Sequence, residues 1–256
     1  MKKHVLWMIL FPFMALAQDN TWNAVYENVD HVVIDNQSGK IRISSDADAK
    51  KVAVMAKKIK GDQDCRLQMV QNQATLELIT RKTKKWFGNT CNIKIDVVVP
   101  EKVALDVDNG SGEIVLSGVF EKVDVDNGSG DVVTKGKILE LSGDTGSGNM
   151  DVDTVLGDIN LDTGSGNINI TSVAGKVTLE TGSGNVSFRH HGKTLDKVKV
   201  STGSGNVNMH LPKEAVFITQ FSTGSGKVYN EFGDRKQAQT TVYVDTGSGN
   251  LNIYKN

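Results

Sequence analysis

The sequence is poor in proline, in cysteine and in net charge, and each shortage limits the kind of protein that it encodes. Three prolines in 256 residues, with no long polar linker, favour one continuous domain over several domains joined by spacers. The formal net charge of −1 gives no electrostatic reason to expect nucleic acid or an anionic membrane surface as a partner. No segment has a convincing helical period, so an all-β chain is expected.

Long hydrophobic runs are also scarce, and the chain begins with one. Residues 1–17 combine a basic start, an apolar run and a small-residue site at Ala15-Leu16-Ala17, which is the pattern of a secretory signal peptide. No later apolar stretch reaches the roughly 18 residues of a membrane span. We therefore expect an exported protein, periplasmic or extracellular, whose mature part is a single domain over residues 18–256 without a transmembrane segment.

Glycine is abundant, and it is arranged in a repeat. The phrase Gly-Ser-Gly starts at Gly110, Gly128, Gly146, Gly164, Gly182, Gly203, Gly224 and Gly247. Successive copies are 18 residues apart four times, and then 21, 21 and 23 residues apart. A fixed period near twenty residues is typical of a solenoid, in which each repeat forms one coil stacked on the previous one.

Within each repeat, apolar residues alternate with polar ones on both sides of the glycines. Ile168 and Ile170 flank Asn169 after one Gly-Ser-Gly phrase, and Ile159 and Leu161 form a similar pair before it. This period of two predicts two short, half-buried strands per coil. The Gly-Ser-Gly corner keeps its length, whereas the opposite corner absorbs the extra residues of the later coils. We predict a single-stranded parallel β-helix, a β-solenoid, with about 18 residues per coil.

The first part of the mature chain is less regular. Residues 18–108 lack the clean period and are expected to form irregular N-terminal coils before the regular repeats of residues 109–256. Residues 35–43 nevertheless match residues 108–116 almost place for place, so the solenoid should begin near Val32. Terminal repeats of solenoids are atypical because an open coil end has to be covered.

These features also carry a resemblance to a known family. A signal peptide, an irregular β region that ends in Val99-Pro100, and stacked repeats such as residues 105–114 resemble the bacterial putative adhesin family of secreted β-solenoids, long classed as domains of unknown function. The resemblance covers roughly residues 30–256. It implies a right-handed parallel β-helix in the cell envelope and a binding role, and it names no ligand.

Stacking turns each repeated position into a column with about 4.8 Å between neighbours. The second-last position of the coil holds, in chain order, Asp108, Asp126, Asp144, Asp162, Glu180, Ser201, Ser222 and Asp245. Adjacent carboxylates repel unless water or cations screen them. The phrase is similar to the calcium-binding turns of β-roll proteins, but an apolar residue stands where those turns carry aspartate. An exposed polar ladder is therefore the preferred interpretation.

A second pair of columns has the Thr-x-Ser spacing of Thr163 and Ser165. This spacing is similar to the flat arrays of ice-binding solenoids. Those arrays lie on strands, however, whereas these residues flank glycines at a corner. Ice binding is a minor hypothesis for this reason.

The longer loops at the opposite corner are the predicted place for a ligand. They are expected to bring five side chains onto one edge of three consecutive coils: His190, His191, His210, Phe232 and Arg235. Variable loops on a rigid scaffold are where recognition is usually placed. The second candidate is the basic and aromatic loop around Trp86. The three histidines fall on neighbouring coils at this corner, so they could approach one another and capture a metal adventitiously, but we predict neither a metal site nor a cofactor.

No catalytic residue is predicted, because no cluster of base, acid and cation-neutralising side chains is legible. The sequence favours an exported, non-enzymatic cell-envelope protein, either an adhesin-like module that binds an envelope or extracellular glycan or protein, or a structural spacer. The alternative is a β-helix enzyme, a lyase or hydrolase that acts on polysaccharide.

Cys65 and Cys91 are the two cysteines of the chain, and an exported pair is expected to form a disulfide. Closing this loop should stabilise the fold by roughly 3 to 4 kcal/mol. Alkylation of the exported protein under denaturing, non-reducing conditions should label neither thiol. Two labelled thiols would contradict the prediction.

Overall fold

The computed structural model describes residues 20–82, 91–191, 197–233, 238 and 240–256. Within these ranges the chain forms strands and turns and no helix. The strands are β1 (Thr21–Glu27), β2 (His31–Asn36), β3 (Ile41–Asp46), β4 (Lys51–Lys60), β5 (Cys65–Asn72), β6 (Thr75–Lys82), β7 (Asn92–Pro100), β8 (Ala104–Asn109), β9 (Ile114–Ser129), β10 (Val132–Ser147), β11 (Met150–Val155), β12 (Ile159–Ser165), β13 (Ile168–Val173), β14 (Val177–Ser183), β15 (Val186–Arg189), β16 (Val198–Ser204), β17 (Val207–Leu211), β18 (Phe217–Ser225), β19 (Val228–Asn230), β20 (Thr240–Ser248) and β21 (Leu251–Lys255).

The strands belong to one long, mainly parallel sheet that winds into coils, which confirms the predicted β-solenoid. Each regular coil pairs with the next at an offset of one repeat, so Val132 lies beside Met150 and Met150 lies beside Ile168. Because side chains alternate between the two faces of a strand, the apolar residues of successive coils form columns inside the solenoid. One continuous core of buried side chains extends from Val29 to Ile253.

The corner opposite Gly-Ser-Gly differs from the expected two short strands in the first regular coils. β9 and β10 each run for 16 residues and continue through this corner. Gly118 and Gly136 lie side by side there, with φ of 116° and 120°. Only glycine adopts this conformation easily, so the chain bends without leaving the ladder. From β11 onward the strands end at this corner, and two strands per coil are seen.

The Gly-Ser-Gly corner brings the backbones of neighbouring coils into contact. A Cβ atom on Gly166 would overlap the carbonyl oxygen of Gly148, and one on Gly184 would overlap that of Gly166. No side chain fits into this space. Glycine is therefore required here by the approach of the next coil.

Hydrogen bonds hold this corner together on its inner side. Buried threonines donate from Oγ1 to a glycine carbonyl of the preceding coil. The Oγ1–O distance is 3.2 Å from Thr163 to Gly148 and 3.1 Å from Thr181 to Gly166. Each bond satisfies a buried hydroxyl that would otherwise destabilise the core.

A second line of hydrogen bonds runs along the outer side of the corner. The Oδ1 atom of Asn167 accepts from the backbone N and the Nδ2 of Asn185, at 2.9 and 3.4 Å. The same pattern recurs from coil to coil. The complete line, which we call the asparagine line, is Asp131, Asn149, Asn167, Asn185, Asn206, Asn250 and Lys227.

The repeat predicts that each coil stacks on the previous one in the chain. At both ends of the solenoid this prediction is wrong. At the N-terminal end, β2 and β3 lie between the β6–β7 coil and the β8–β9 coil. At the C-terminal end, β20 and β21 lie between the β16–β17 coil and the β18–β19 coil. The inward position held by Ile253 in β21 is held by Asn230 in β19. The coil with a polar residue at this inward position thus takes the terminal place, where burial is less complete.

An antiparallel layer covers the N-terminal end of the solenoid. β4 pairs with β7, β1 pairs with β4, and β5 pairs with β6, all antiparallel. A disulfide joins Cys65, at the start of β5, to Cys91, with an S–S distance of 2.02 Å. Both cysteines are buried, so the bond ties the covering layer to the core.

Replacing Gly184 with alanine is expected to lower the free energy of unfolding by about 2 to 3 kcal/mol, because the new methyl group forces neighbouring backbones apart. Urea denaturation measures the change. The control Ser183→Ala alters an exposed neighbour and should change stability by less than about 0.5 kcal/mol. Wild-type stability of Gly184→Ala would contradict the close approach of the coils.

Candidate functional site

The solenoid presents two faces, one on each side of the Gly-Ser-Gly corner. The leading face consists of the strands before the corner, namely β2, β8, β12, β14, β16, β20, β18 and the second halves of β9 and β10. The trailing face consists of the strands after it, namely β3, β11, β13, β15, β17, β21, β19 and the first halves of β9 and β10. Each face carries its own columns of outward side chains.

The leading face carries an uninterrupted column of carboxylates, which we call the acidic ladder. Its members are Asp35, Asp108, Asp126, Asp144, Asp162 and Glu180. The structure adds Asp35 to the predicted column, because β2 lies beside β8. Beyond Glu180 the column continues through Ser201 and Asp245 to Ser222, since β20 precedes β18 in space. The ammonium group of Lys199 lies 2.7 Å from the Glu180 carboxylate.

The surroundings of the ladder raise the pKa of two of its members. Partial burial, followed by the charges of Asp126, Asp35 and Asp106, raises the pKa of Asp108. Partial burial, followed by the charges of Asp162 and Asp126, raises the pKa of Asp144. Ionisation of these carboxyl groups therefore opposes folding.

The described residues contain no group of three His, Cys, Asp or Glu side chains arranged to hold a metal ion. The ladder is a single file of carboxylates on a flat sheet, and most of its members are exposed. A single file on a flat surface supplies few oxygens to any one point, whereas calcium takes six to eight oxygen ligands.

The threonine column is not a surface feature, and the ice-binding hypothesis was therefore wrong. The threonines of five repeats are buried: Thr145, Thr163, Thr181, Thr202 and Thr246. Their hydroxyl groups point to glycine carbonyls of the preceding coil, as described above. They serve the corner and are not available to a flat ligand.

The structure describes four of the six predicted ligand-binding residues, and they differ in burial. His190 is only 1% exposed, and its ring stacks on that of Phe188 with 6.1 Å between the centroids. His191, the next residue, is exposed. Trp86 and Arg235 lie outside the described residues.

Phe232 and His210 are not on consecutive coils, because the β20–β21 coil lies between them. Phe232 is half-buried, and its ring meets the edge of Phe217 at a centroid distance of 5.1 Å. It packs against the core. The loops that carry His210 and Phe232 therefore do not belong to consecutive coils, since the chain order differs from the order of coils in space.

His210 belongs to a cluster that was not among the predictions from the sequence. On the trailing face, the centroid of its ring lies 5.1 Å from that of Tyr254, which in turn lies 5.7 Å from that of Tyr229. We call these three residues the aromatic strip. They come from β17, β21 and β19, which lie side by side. Tyr229 is 53% exposed, and the other two rings are half-buried.

Polar groups flank the aromatic strip. Asn252 donates from Nδ2 to Oδ1 of Asn208 at 2.9 Å, and the hydroxyl of Tyr229 donates to Glu231 at 3.5 Å. Arg189 lies beside His210 in the neighbouring coil and is exposed. The arrangement combines flat apolar rings with hydrogen-bond donors and acceptors at their edges.

One signal in the sequence pointed to this strip. Outward positions in most trailing strands hold asparagine, aspartate or serine, such as Asn169 and Ser187. Tyr229 and Tyr254 break this pattern, because an aromatic ring stands where the repeat has a polar residue. An exposed aromatic at a position that the scaffold does not bury is a candidate for recognition.

Parallel coils, a glycine corner in every regular repeat and a covered N-terminal end define the class of this protein as a β-solenoid repeat protein. Residues 27–254 match the family model described as Toastrack DUF4097. The chain belongs to the Toastrack DUF4097 family, which agrees with the resemblance drawn from the sequence.

Two solved structures share the fold. A putative adhesin from Bacteroides fragilis is 13% identical, with a TM-score of 0.51, over 92% of this chain and 98% of its own. A putative lipid binding protein from Parabacteroides distasonis is 15% identical, with a TM-score of 0.50, over 93% of this chain and 97% of its own. No curated protein matches the sequence.

Among the described residues, none forms a helix with the length and hydropathy needed to cross a bilayer.

Replacing Asp144 with asparagine is expected to stabilise the fold at neutral pH, because it removes a charge held between Asp126 and Asp162. The pKa of Asp144 is raised on folding, so its contribution to stability is most favourable below the ordinary aspartate pKa and is lost as pH rises through the raised value. We expect the melting temperature to rise by about 1 to 3 °C in low salt.

Thermal denaturation at several pH values and salt concentrations checks this prediction. The gain should shrink in high salt and vanish in acid, where Asp144 is protonated in both states. Glu101→Gln, an exposed acid outside the ladder, serves as the control. A lower melting temperature for Asp144→Asn at neutral pH would contradict the prediction.

Proposed function

We propose that this chain is an exported, non-enzymatic protein of the cell envelope that binds a glycan through the aromatic strip. The observation that carries the proposal is the row of rings formed by His210, Tyr254 and Tyr229 on the trailing face. His210 is one of the ligand-binding residues predicted from the sequence, whereas Tyr254 and Tyr229 are not.

The chemistry of the strip suits a sugar. A sugar ring has a face of C–H groups and an edge of hydroxyl groups. The faces of Tyr254 and Tyr229 offer apolar contact for the first. The carboxamides of Asn208 and Asn252 and the carboxylate of Glu231 offer donors and acceptors for the second. Because the rings follow one another across three coils, an extended oligosaccharide fits better than a single sugar.

The scaffold also favours binding at the strip over binding at a loop. All three rings are carried by hydrogen-bonded strands, whose backbones are fixed before a ligand arrives. A preorganised surface loses less conformational entropy on binding than a loop that has to be ordered.

Export and a binding role rest on further support. Residues 1–17 have the pattern of a secretory signal. A putative adhesin and a putative lipid binding protein share the fold, and both names describe binding. The polysaccharide lyase or hydrolase remains the alternative that the experiment has to test.

The test is a binding screen of the exported protein against bacterial envelope polysaccharides, followed by titration of each hit. Tyr254→Ala should weaken binding at least about tenfold, since aromatic residues at the centre of an interface dominate its energy. Tyr243→Ala is the matched control, because Tyr243 is a tyrosine of the leading face that is 37% exposed. It should leave binding unchanged.

Other outcomes would overturn the proposal. Binding that survives both Tyr254→Ala and Tyr229→Ala would place the ligand elsewhere. Release of shortened sugars during incubation would favour the enzyme alternative. Binding to phospholipid vesicles or to an envelope protein, with no binding to any polysaccharide, would reject the glycan as ligand class.

A further inference from the structure

The two ends of the solenoid differ in whether further strands cover their last core layer. At the N-terminal end, the inward side chains of β6 and β7 are fully buried; for example, Leu78 and Ile93 are both 0% exposed. The antiparallel strands β4 and β5 cover this end. At the C-terminal end, β18 pairs with β20 and β19 pairs with β21, and no other described strand pairs with either.

The core layer of the C-terminal end is open. Val228 occupies the inward column of Leu251 and Val207. Leu251 and Val207 are 0% exposed, whereas Val228 is 48% exposed. Phe221 lies beside the buried Val244 and is itself only partly buried. This layer has the composition of a core, and no strand of the described residues covers it.

β18, the longer of the two strands at this edge, also lacks the usual protection against strand pairing. Natural edge strands are blunted by charged side chains, proline or bulges. β18 runs for nine residues, Phe217–Ser225, with the sequence FITQFSTGS, which contains no charge and no proline. Its register with β20 is continuous and shows no bulge.

We propose that this open end is the interface between two copies of the chain, which pair end to end about a two-fold axis. An antiparallel pairing of β18 with its own copy, centred on Phe221, places Phe221 opposite the partner's Phe221. Gln220 then lies opposite the partner's Ser222. Inward side chains stay inward, so the two open core layers close on one another.

A two-fold pair of copies fits this edge better than head-to-tail stacking of copies. Because β18 is uncharged, two copies meet without repulsion. Stacking the open end on the N-terminal end of another molecule would find no open core layer, since β4 and β5 already cover Leu78 and Ile93. The two-fold arrangement covers both open layers at once and leaves no further site for growth.

The pairing has a consequence for the trailing face. Centring β19 on the same axis brings Tyr229 beside the partner's Tyr229, so the two aromatic strips become continuous. Two strips on one particle would bind an extended ligand with avidity. The self-association itself does not depend on the proposed glycan binding, and each is tested separately.

The experiment is sedimentation velocity of the exported protein over a range of concentrations, with light scattering as a second measure of mass. Wild type should be a dimer. The double variant Gln220→Lys, Ser222→Lys places like charges opposite each other twice and should raise the dimer dissociation constant about tenfold or more. Both side chains are exposed in the single chain, so the fold should be retained.

Two further variants make the test specific. Gln220→Glu, Ser222→Glu should weaken the dimer to a similar extent when alone, but an equimolar mixture of the lysine and glutamate variants should recover the dimer. The control Ser142→Lys, Asn160→Lys changes two residues in the outward column of Gln220, in the middle of the solenoid. This control should remain dimeric. A monomeric wild type, an open series of larger species, or an unchanged dimer in the lysine variant would each overturn the proposal.

Discussion

The fold depends on how closely the backbones of neighbouring coils approach at the Gly-Ser-Gly corner. A side chain on Gly166 would overlap the backbone of Gly148. With glycine at both places, the amide of Gly166 donates to the carbonyl of Ser183 at 3.1 Å, and Thr163 can reach Gly148 from inside. This contact fixes the register of the strands that follow. A slip of one residue would turn every core column outward.

A fixed register also stacks identical outward side chains at the surface. Whether such a column stabilises or destabilises the fold depends on which residue is repeated. Carboxylates stacked in the acidic ladder carry like charges and cannot bond one another, so they repel, and the pKa of Asp144 is raised by burial and by its neighbours. Carboxamides stacked in the asparagine line both donate and accept, so each one bonds the next. The same spacing therefore destabilises one column and stabilises the other.

The ends of the stack are where the periodic rule stops applying. At the N-terminal end, antiparallel strands cover the core and the disulfide between Cys65 and Cys91 ties them down. At the C-terminal end, the final repeat is inserted beneath the one before it, which leaves the coil with Asn230 outermost. That insertion places Tyr254 between His210 and Tyr229 and so creates the aromatic strip.

The sequence by itself determined the coil. Its features are local or periodic, so the pattern within one repeat and its recurrence along the chain are enough to predict them. They are the alternating apolar residues, the constant glycine corner, the degenerate repeat at residues 35–43 and the carboxylate column. The sequence did not predict the strands β1 and β5. They join the covering layer by antiparallel pairing with β4 and β6. Only the tertiary structure decided the order of coils at the ends, the burial of His190 and the meeting of His210, Tyr254 and Tyr229. These features depend on which coils pack against each other in space. That packing is determined by complementarity between segments far apart in the chain, so a local pattern of residues cannot predict it.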